Sequence, residues 1–324
     1  MTCKRTLHSR FASGRFTPVL LFTFSLLLML SAFWYPASAV PVTLPAEPSF
    51  MGGLASRLLS TLFYAVSAIL ISGQTFFDRR VRWVGAFYMW MVAVLPFVNG
   101  NSTLALSSFL SVLAFVILFA CQYKVNSMGL LYAAFLVLGF QLFVTPFAIF
   151  LIPLYWAFCL YANISSPRGF VASLLGLATP FWLLLGTEYV LSDCNVLSNY
   201  ISDGLSGTFR VSGNGSPTLF LILLGFALLL LLPSIVTFMG SVSPAKPLLR
   251  RRLSFIMMAD AYLLLLCCLW GDGVFVFYSC SLFCQSIIAS YIFSVKETKL
   301  IGVYFLFVNL IMVAIATQAL WLKH

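Results

Sequence analysis

Charge is what this sequence has least of. Only 8% of its 324 residues are Asp, Glu, Lys or Arg, against about 25% in an ordinary soluble domain. A chain this poor in charge does not clothe its surface for water. Histidine is nearly missing as well, present only as His8 and His324. No Cys-x-x-Cys pair occurs, and of the eight cysteines only Cys194 falls in a long polar stretch. Most of the others sit in apolar runs, where cysteine behaves as a small hydrophobe. A metal site, a disulfide framework and a bound cofactor are therefore not expected. Phosphate-binding loops, Gly-x-Ser-x-Gly and His-Glu-x-x-His are also missing, so there is no recognisable motif of soluble catalysis.

What the chain does have is apolar length. Hydrophobic residues make up 62% of it, the mean hydropathy is +1.05, and several runs approach the roughly 20 residues that cross a bilayer as a helix. The runs are continuous rather than alternating, which excludes a transmembrane β-barrel. The expected fold is an all-α polytopic transmembrane bundle of about ten or eleven helices with short loops. The net charge of +10 comes from short basic clusters between apolar runs, a pattern that faces anionic lipid rather than nucleic acid.

The first run, residues 17–34, follows four basic residues and ends in Ala37-Ser38-Ala39. Residues 1–39 thus read as a first transmembrane helix or as a signal-peptide-like segment, and residues 40–324 as the helical membrane domain. Further runs cover 58–74, 83–98 and 104–121. Residues 128–162 would make about 52 Å as a single helix, too long for a hydrocarbon core of about 30 Å. Thr145-Pro146 stands at their middle, and proline disfavours helix in the residue before it, so two short passes are expected to meet there. The remaining runs are 170–186, with a kink expected at Thr179-Pro180, then 217–239, 253–270, 274–293 and 300–322. The longest polar loop is 187–215. With the N-terminus in the cytoplasm, every Lys and Arg except Arg57, Arg210 and Lys323 falls on the cytoplasmic side. Arg79, Arg80, Arg82, Arg250, Arg251 and Arg252 are the main topology anchors.

The segments MGGLASRLLSTLFYAVSAIL, FDRRVR, LFVTPFAIFLIPLYWAFCLY and SPRGFVASLLGLATPFWLLLG follow one another between residues 51 and 186. Together they pair a basic loop with an apolar hairpin and a small-residue helix carrying Thr-Pro-aromatic. This order resembles a group of multi-pass inner-membrane proteins of Bacteroidota that has no established activity. The resemblance implies a bacterial inner-membrane location and nothing about chemistry.

Asp260 stands about seven residues inside the ninth run, on the order of 10 Å from its cytoplasmic end. An aspartate at the centre of a spanning helix costs about 2.5–3.5 kcal/mol on insertion scales. Either it serves as a proton relay or cation site, or it is a structural group hydrogen-bonded to the next helix, where Gln285 and Ser286 are the expected partners. Arg252, two turns back on the same face, is another. Gln141 and the other glutamines of the apolar runs are expected to bond between helices. Gly129, Gly139, Gly176 and Gly186 are expected to allow close helix contact. In the external loop, Glu188, Asp193 and Arg210 are the candidates for acting on a lipid-linked glycan. Three functions follow: a cell-envelope binding, assembly or transport role; an enzyme or carrier for lipid-linked glycans; and a solute or ion transporter using Asp260. The partners implied are the lipid bilayer, another envelope membrane protein or a lipid-linked glycan, and not nucleic acid.

Overall fold

The computed structural model describes residues 17–31, 50–73, 83–95, 101–122, 127–164, 166–191, 217–241, 247–270, 273–295 and 299–321. Among them the chain is all-α, with no strand. Eleven helices stand one for each apolar run: α1 Thr17–Ser31, α2 Phe50–Ser72, α3 Val84–Val94, α4 Ser102–Cys121, α5 Met128–Val144, α6 Leu151–Tyr161, α7 Pro167–Leu191, α8 Pro217–Ser241, α9 Pro247–Leu269, α10 Val274–Val295 and α11 Lys299–Trp321. A 3₁₀ turn, Pro146–Phe150, joins α5 to α6. Among the described residues five helices are long and apolar enough to cross a membrane: α2, α4, α7, α9 and α10. Helices close their backbone hydrogen bonds internally, which is what an apolar solvent demands.

Local chemistry sets the helix ends. Pro167, Pro217 and Pro247 each occupy a first helical position, where a missing N–H costs nothing. Asn101 caps α4, its Oδ1 accepting from the backbone N–H groups of Thr103 (3.0 Å) and Leu104 (3.3 Å). Ser166 caps α7 through Gly169 N–H at 3.0 Å. Asn163 closes α6 in the left-handed region at φ 55°, and Ile164 N–H returns to Cys159 O at 3.0 Å. Several helices overrun the apolar runs expected from sequence, α2 starting at Phe50 instead of residue 58. Helix α9 starts at Pro247, so Arg250, Arg251 and Arg252 lie in its first turns rather than in a loop. Arginine is a good helix former and nothing after Pro247 breaks the turn. Helix α7 continues to Leu191, which puts Glu188 on a helix instead of in the 187–215 loop.

The chain forms two compact units, the first made of Met1–Ala105, Leu224–Met257 and Leu282–His324. Helix α3 is its centre: all eleven of its residues are buried. At about 16 Å it is shorter than a full pass, and an all-round apolar helix of that length belongs in a core. Gly85 lets it lie against α2, since a Cβ there would run into Ser72 Oγ and Ala68 O. Phe87 packs on Phe293 and Phe305 at 5.6 and 6.2 Å, and Trp90 Nε1 donates to Asn309 Oδ1 of α11 at 3.2 Å.

The second unit comprises Leu106–Leu223 and Met258–Ser281. Helix α5 stops at Val144 because Thr145 is extended, at φ −144° and ψ 110°, as the following proline requires. The chain then doubles back. Phe135 and Tyr155 are 20 residues apart, about 30 Å along a straight helix, yet their rings are 6.2 Å apart. The two short passes read from the sequence are therefore a hairpin turning at Thr145-Pro146. Helix α7 packs on α5 through two glycines. A Cβ on Gly176 would be 2.5 Å from Tyr132 O, and one on Gly139 would be 2.9 Å from Pro180 Cγ and 3.0 Å from Leu177 O. Gly129 and Gly186 meet nothing within 4 Å, so only two of the four expected glycines mediate contact. Pro180 does not break α7; it fills the space over Gly139, while Thr179 Oγ1 donates to Leu175 O at 2.6 Å. Trp182 is 72% exposed and Tyr189 91%, so the described residues leave the outer face of α7 uncovered.

Candidate intramembrane polar site

Spacing decides which side chains α9 turns inward. Arg252, Ile256, Ala259, Asp260, Leu263 and Cys267 are buried at helical intervals, while Arg251, Met258, Ala261, Leu265 and Cys268 are exposed. Asp260 is 0% exposed and lies 13 residues beyond the helix start, about 20 Å. That is about twice the depth expected when the helix was read from residue 253, and it puts the carboxyl group near mid-span. Its Oδ1 accepts a hydrogen bond from Ser281 Oγ of α10 at 2.9 Å. At the start of α10, Gly273 leaves room for two rings: a Cβ there would come within 2.7 Å of Phe277 and 2.9 Å of Phe147.

Ser281 was not among the partners expected from the sequence. Gln285 and Ser286 are fully buried on α10 but belong to the first unit, and Ser286 Oγ donates within its own helix to Phe283 O at 2.7 Å. Arg252 also belongs to the first unit and is completely buried, in contrast to exposed Arg250 and Arg251. Glu188 is half-buried on α7. Asp193, Arg210, Arg79, Arg80, Arg82 and the possible cleavage region around residue 39 lie outside the described residues.

A second polar group in the same unit was only partly foreseen. Gln141 of α5 is fully buried, and its Nε2 donates to Ser107 Oγ at 3.0 Å and Ser111 Oγ at 2.7 Å on α4. Ser107 and Thr145 hydroxyls share a hydrogen bond of 2.9 Å. Ser111 Oγ lies 3.1 Å from Cys280 Sγ, and Tyr155 OH donates to Ser111 O at 3.3 Å. Gln141 Oε1 has no hydrogen-bond partner among the described residues. The sequence signal lay in two four-residue spacings, Ser107 to Ser111 and Gln141 to Thr145, which put each pair on one helix face. Cys280 and Ser281 are neighbours on α10, so the same helix serves the Gln141 group and Asp260.

Among the described residues no cluster of three or more His, Cys, Asp or Glu is placed to hold a metal ion. Among its described residues the unit instead offers one fully buried carboxyl group, with hydroxyls and an amide in an apolar interior beside the hairpin turn at Thr145. Such an arrangement can accept and release a proton or hold a small cation; it has no paired acid and base or activated nucleophile for group transfer. Replacing Ser281 with Ala is expected to lower stability by about 1 kcal/mol, within the range of interhelical hydrogen bonds in membranes. A denaturant titration in micelles reads this, and an unchanged midpoint would mean that the Asp260 bond contributes nothing. Set against known proteins, no family model matches the chain, and no curated protein or solved structure matches it.

Proposed function

We propose that this chain is a multi-pass protein of a bacterial cytoplasmic membrane, with its N-terminus inside, and that it moves a proton or a small cation-linked solute through its second unit at Asp260. The observation that carries the reading is a wholly buried carboxyl group near the middle of a spanning helix. Intramembrane carboxyl groups are expensive and mark ion pathways by default. The buried hydroxyls and amide beside the hairpin turn at Thr145-Pro146 support the same reading, because polar groups enclosed in a spanning bundle mark ion pathways. The asymmetry of the Lys and Arg residues supports the orientation. A pure assembly role gains no support from a mid-membrane carboxyl group. The lipid-linked glycan reading depends on Asp193 and Arg210, outside the described residues.

The test is flux. Purified protein is reconstituted in phospholipid vesicles, a membrane potential is imposed, and internal pH and sodium are followed with dyes. Protein-dependent movement of one of these ions is expected, reduced at least about tenfold in Asp260→Asn, the size of effect that loss of an essential ionisable group produces. Wild-type vesicles no leakier than empty ones to both ions would refute the proposal, as would full flux through Asp260→Asn.

A further inference from the structure

At the end of the second unit opposite the Thr145 turn, α5, α6 and α7 enclose a half-open cleft of about 190 Å³. Leu131, Trp156, Cys159, Leu160, Gly169 and Phe170 line it, together with Ser173. Its one hydroxyl is already used: Trp156 Nε1 donates to Ser173 Oγ at 3.2 Å, and that hydroxyl donates to Phe170 O at 2.7 Å. The cleft is thus apolar in effect and has no free polar group with which to hold a polar solute. Its floor is deep because Gly169 is small: a Cβ there would lie 3.2 Å from Leu131 Cδ2. Leu160 and Phe170 at its rim are 65% and 50% exposed.

Arg168 immediately precedes the cleft residues Gly169 and Phe170. It is exposed and makes no ion pair or hydrogen bond with any described residue. The nearest carboxylate on its own helix is Glu188, 20 residues or about 30 Å away, so the helix itself does not neutralise it. A cation with no partner among the described residues, at the end of a spanning helix beside a half-open apolar slot, matches the two ends of one molecule. We infer that the cleft seats an acyl chain of an anionic phospholipid whose phosphate lies on Arg168. The occupant is a lipid rather than a free anion because the slot below the charge is apolar and would stay empty under inorganic phosphate. An anionic headgroup is selected because one Arg near a membrane surface is worth about fivefold in lipid partitioning. The site rests only on the chain's being a membrane protein and is independent of Asp260.

Trp156 is the natural reporter, because it lines the cleft. The full-length protein is reconstituted in vesicles containing either phosphatidylglycerol or phosphatidylcholine with brominated acyl chains. The Trp156 signal is isolated by subtracting Trp156→Phe. Quenching is expected at about fivefold lower mole fraction of the brominated anionic lipid than of the zwitterionic one. Arg168→Gln should abolish the preference and Arg168→Lys should keep it, while millimolar inorganic phosphate should not compete. Equal quenching by the two lipids would reduce the cleft to ordinary boundary contact and overturn the inference. So would a preference that survives Arg168→Gln, or one that phosphate displaces.

Discussion

Gly176→Leu is expected to separate α7 from α5 and to destabilise the protein by at least about 3 kcal/mol, the upper end for an overpacked core. The reason is what the new side chain would meet. Its Cβ alone would stand 2.5 Å from Tyr132 O and 3.1 Å from Leu136 N, both backbone atoms of α5 that cannot turn away. Relief requires the two helices to move apart, which would pull Pro180 off Gly139 and stretch the 2.9 Å bond between Tyr132 and Thr179. Association of helices in a membrane depends on such close packing, because lipid supplies no hydrophobic drive between them. Gly186 on the same helix is the control, since nothing lies within 4 Å of a Cβ there. Gly186→Leu should be neutral or stabilising by up to about 1 kcal/mol, the helix propensity gained on losing a glycine. Unfolding midpoints in mixed micelles compare the two directly. Equal midpoints would mean that α5 and α7 are not packed at Gly176.

Asp260 should show the opposite relation between stability and work. Asp260→Leu replaces a carboxyl group near mid-membrane with a side chain of similar size. An aspartate there costs about 2.5–3.5 kcal/mol on insertion, and replacing buried ionic groups with apolar ones is often neutral or stabilising. The hydrogen bond from Ser281 is lost in exchange, and Ser281 can turn its hydroxyl to a carbonyl of its own helix, as Ser279 and Ser286 already do. The variant is therefore expected to be as stable as the wild type or more so, and to carry no ion flux. Asp260→Asn keeps the shape and a hydrogen bond but removes the ionisable group, and should lose flux equally. A residue kept for structure gives the reverse: Asp260→Leu would unfold the unit and Asp260→Asn would be tolerated.

The fold was largely written in the hydropathy. Each apolar run became one helix, and Pro146 alone was enough to divide residues 128–162 into a hairpin. What escaped was the interior. Side chains buried in lipid and side chains buried in protein are equally apolar, so the sequence did not distinguish α10, almost wholly enclosed, from α7, mostly open. The buried face of α9 is legible afterwards because Arg252 and Asp260 fall on it, eight residues apart. The run of three arginines nevertheless looked like a uniform anchor, although the helical turn buries Arg252 and leaves Arg250 and Arg251 outside. Ser281 escaped notice as a partner of Asp260 for a geometric reason. The turn between α9 and α10 is short, and at mid-membrane depth it brings Ser281, four residues earlier than Gln285, opposite the carboxyl group. Serines at Ser107 and Ser111 passed unnoticed because serine is common in membrane helices and usually bonds to its own backbone.

The measurement closest to the central claim is labelling of Asp260 by a membrane-permeant carbodiimide, located by peptide mass spectrometry in vesicles that are also assayed for flux. A carboxyl group that exchanges ions must become reachable as the protein works. The account predicts modification at Asp260, with flux falling in proportion to the fraction modified. Asp260 untouched in the native protein and labelled only after unfolding would contradict it, and so would full labelling that leaves the flux unchanged.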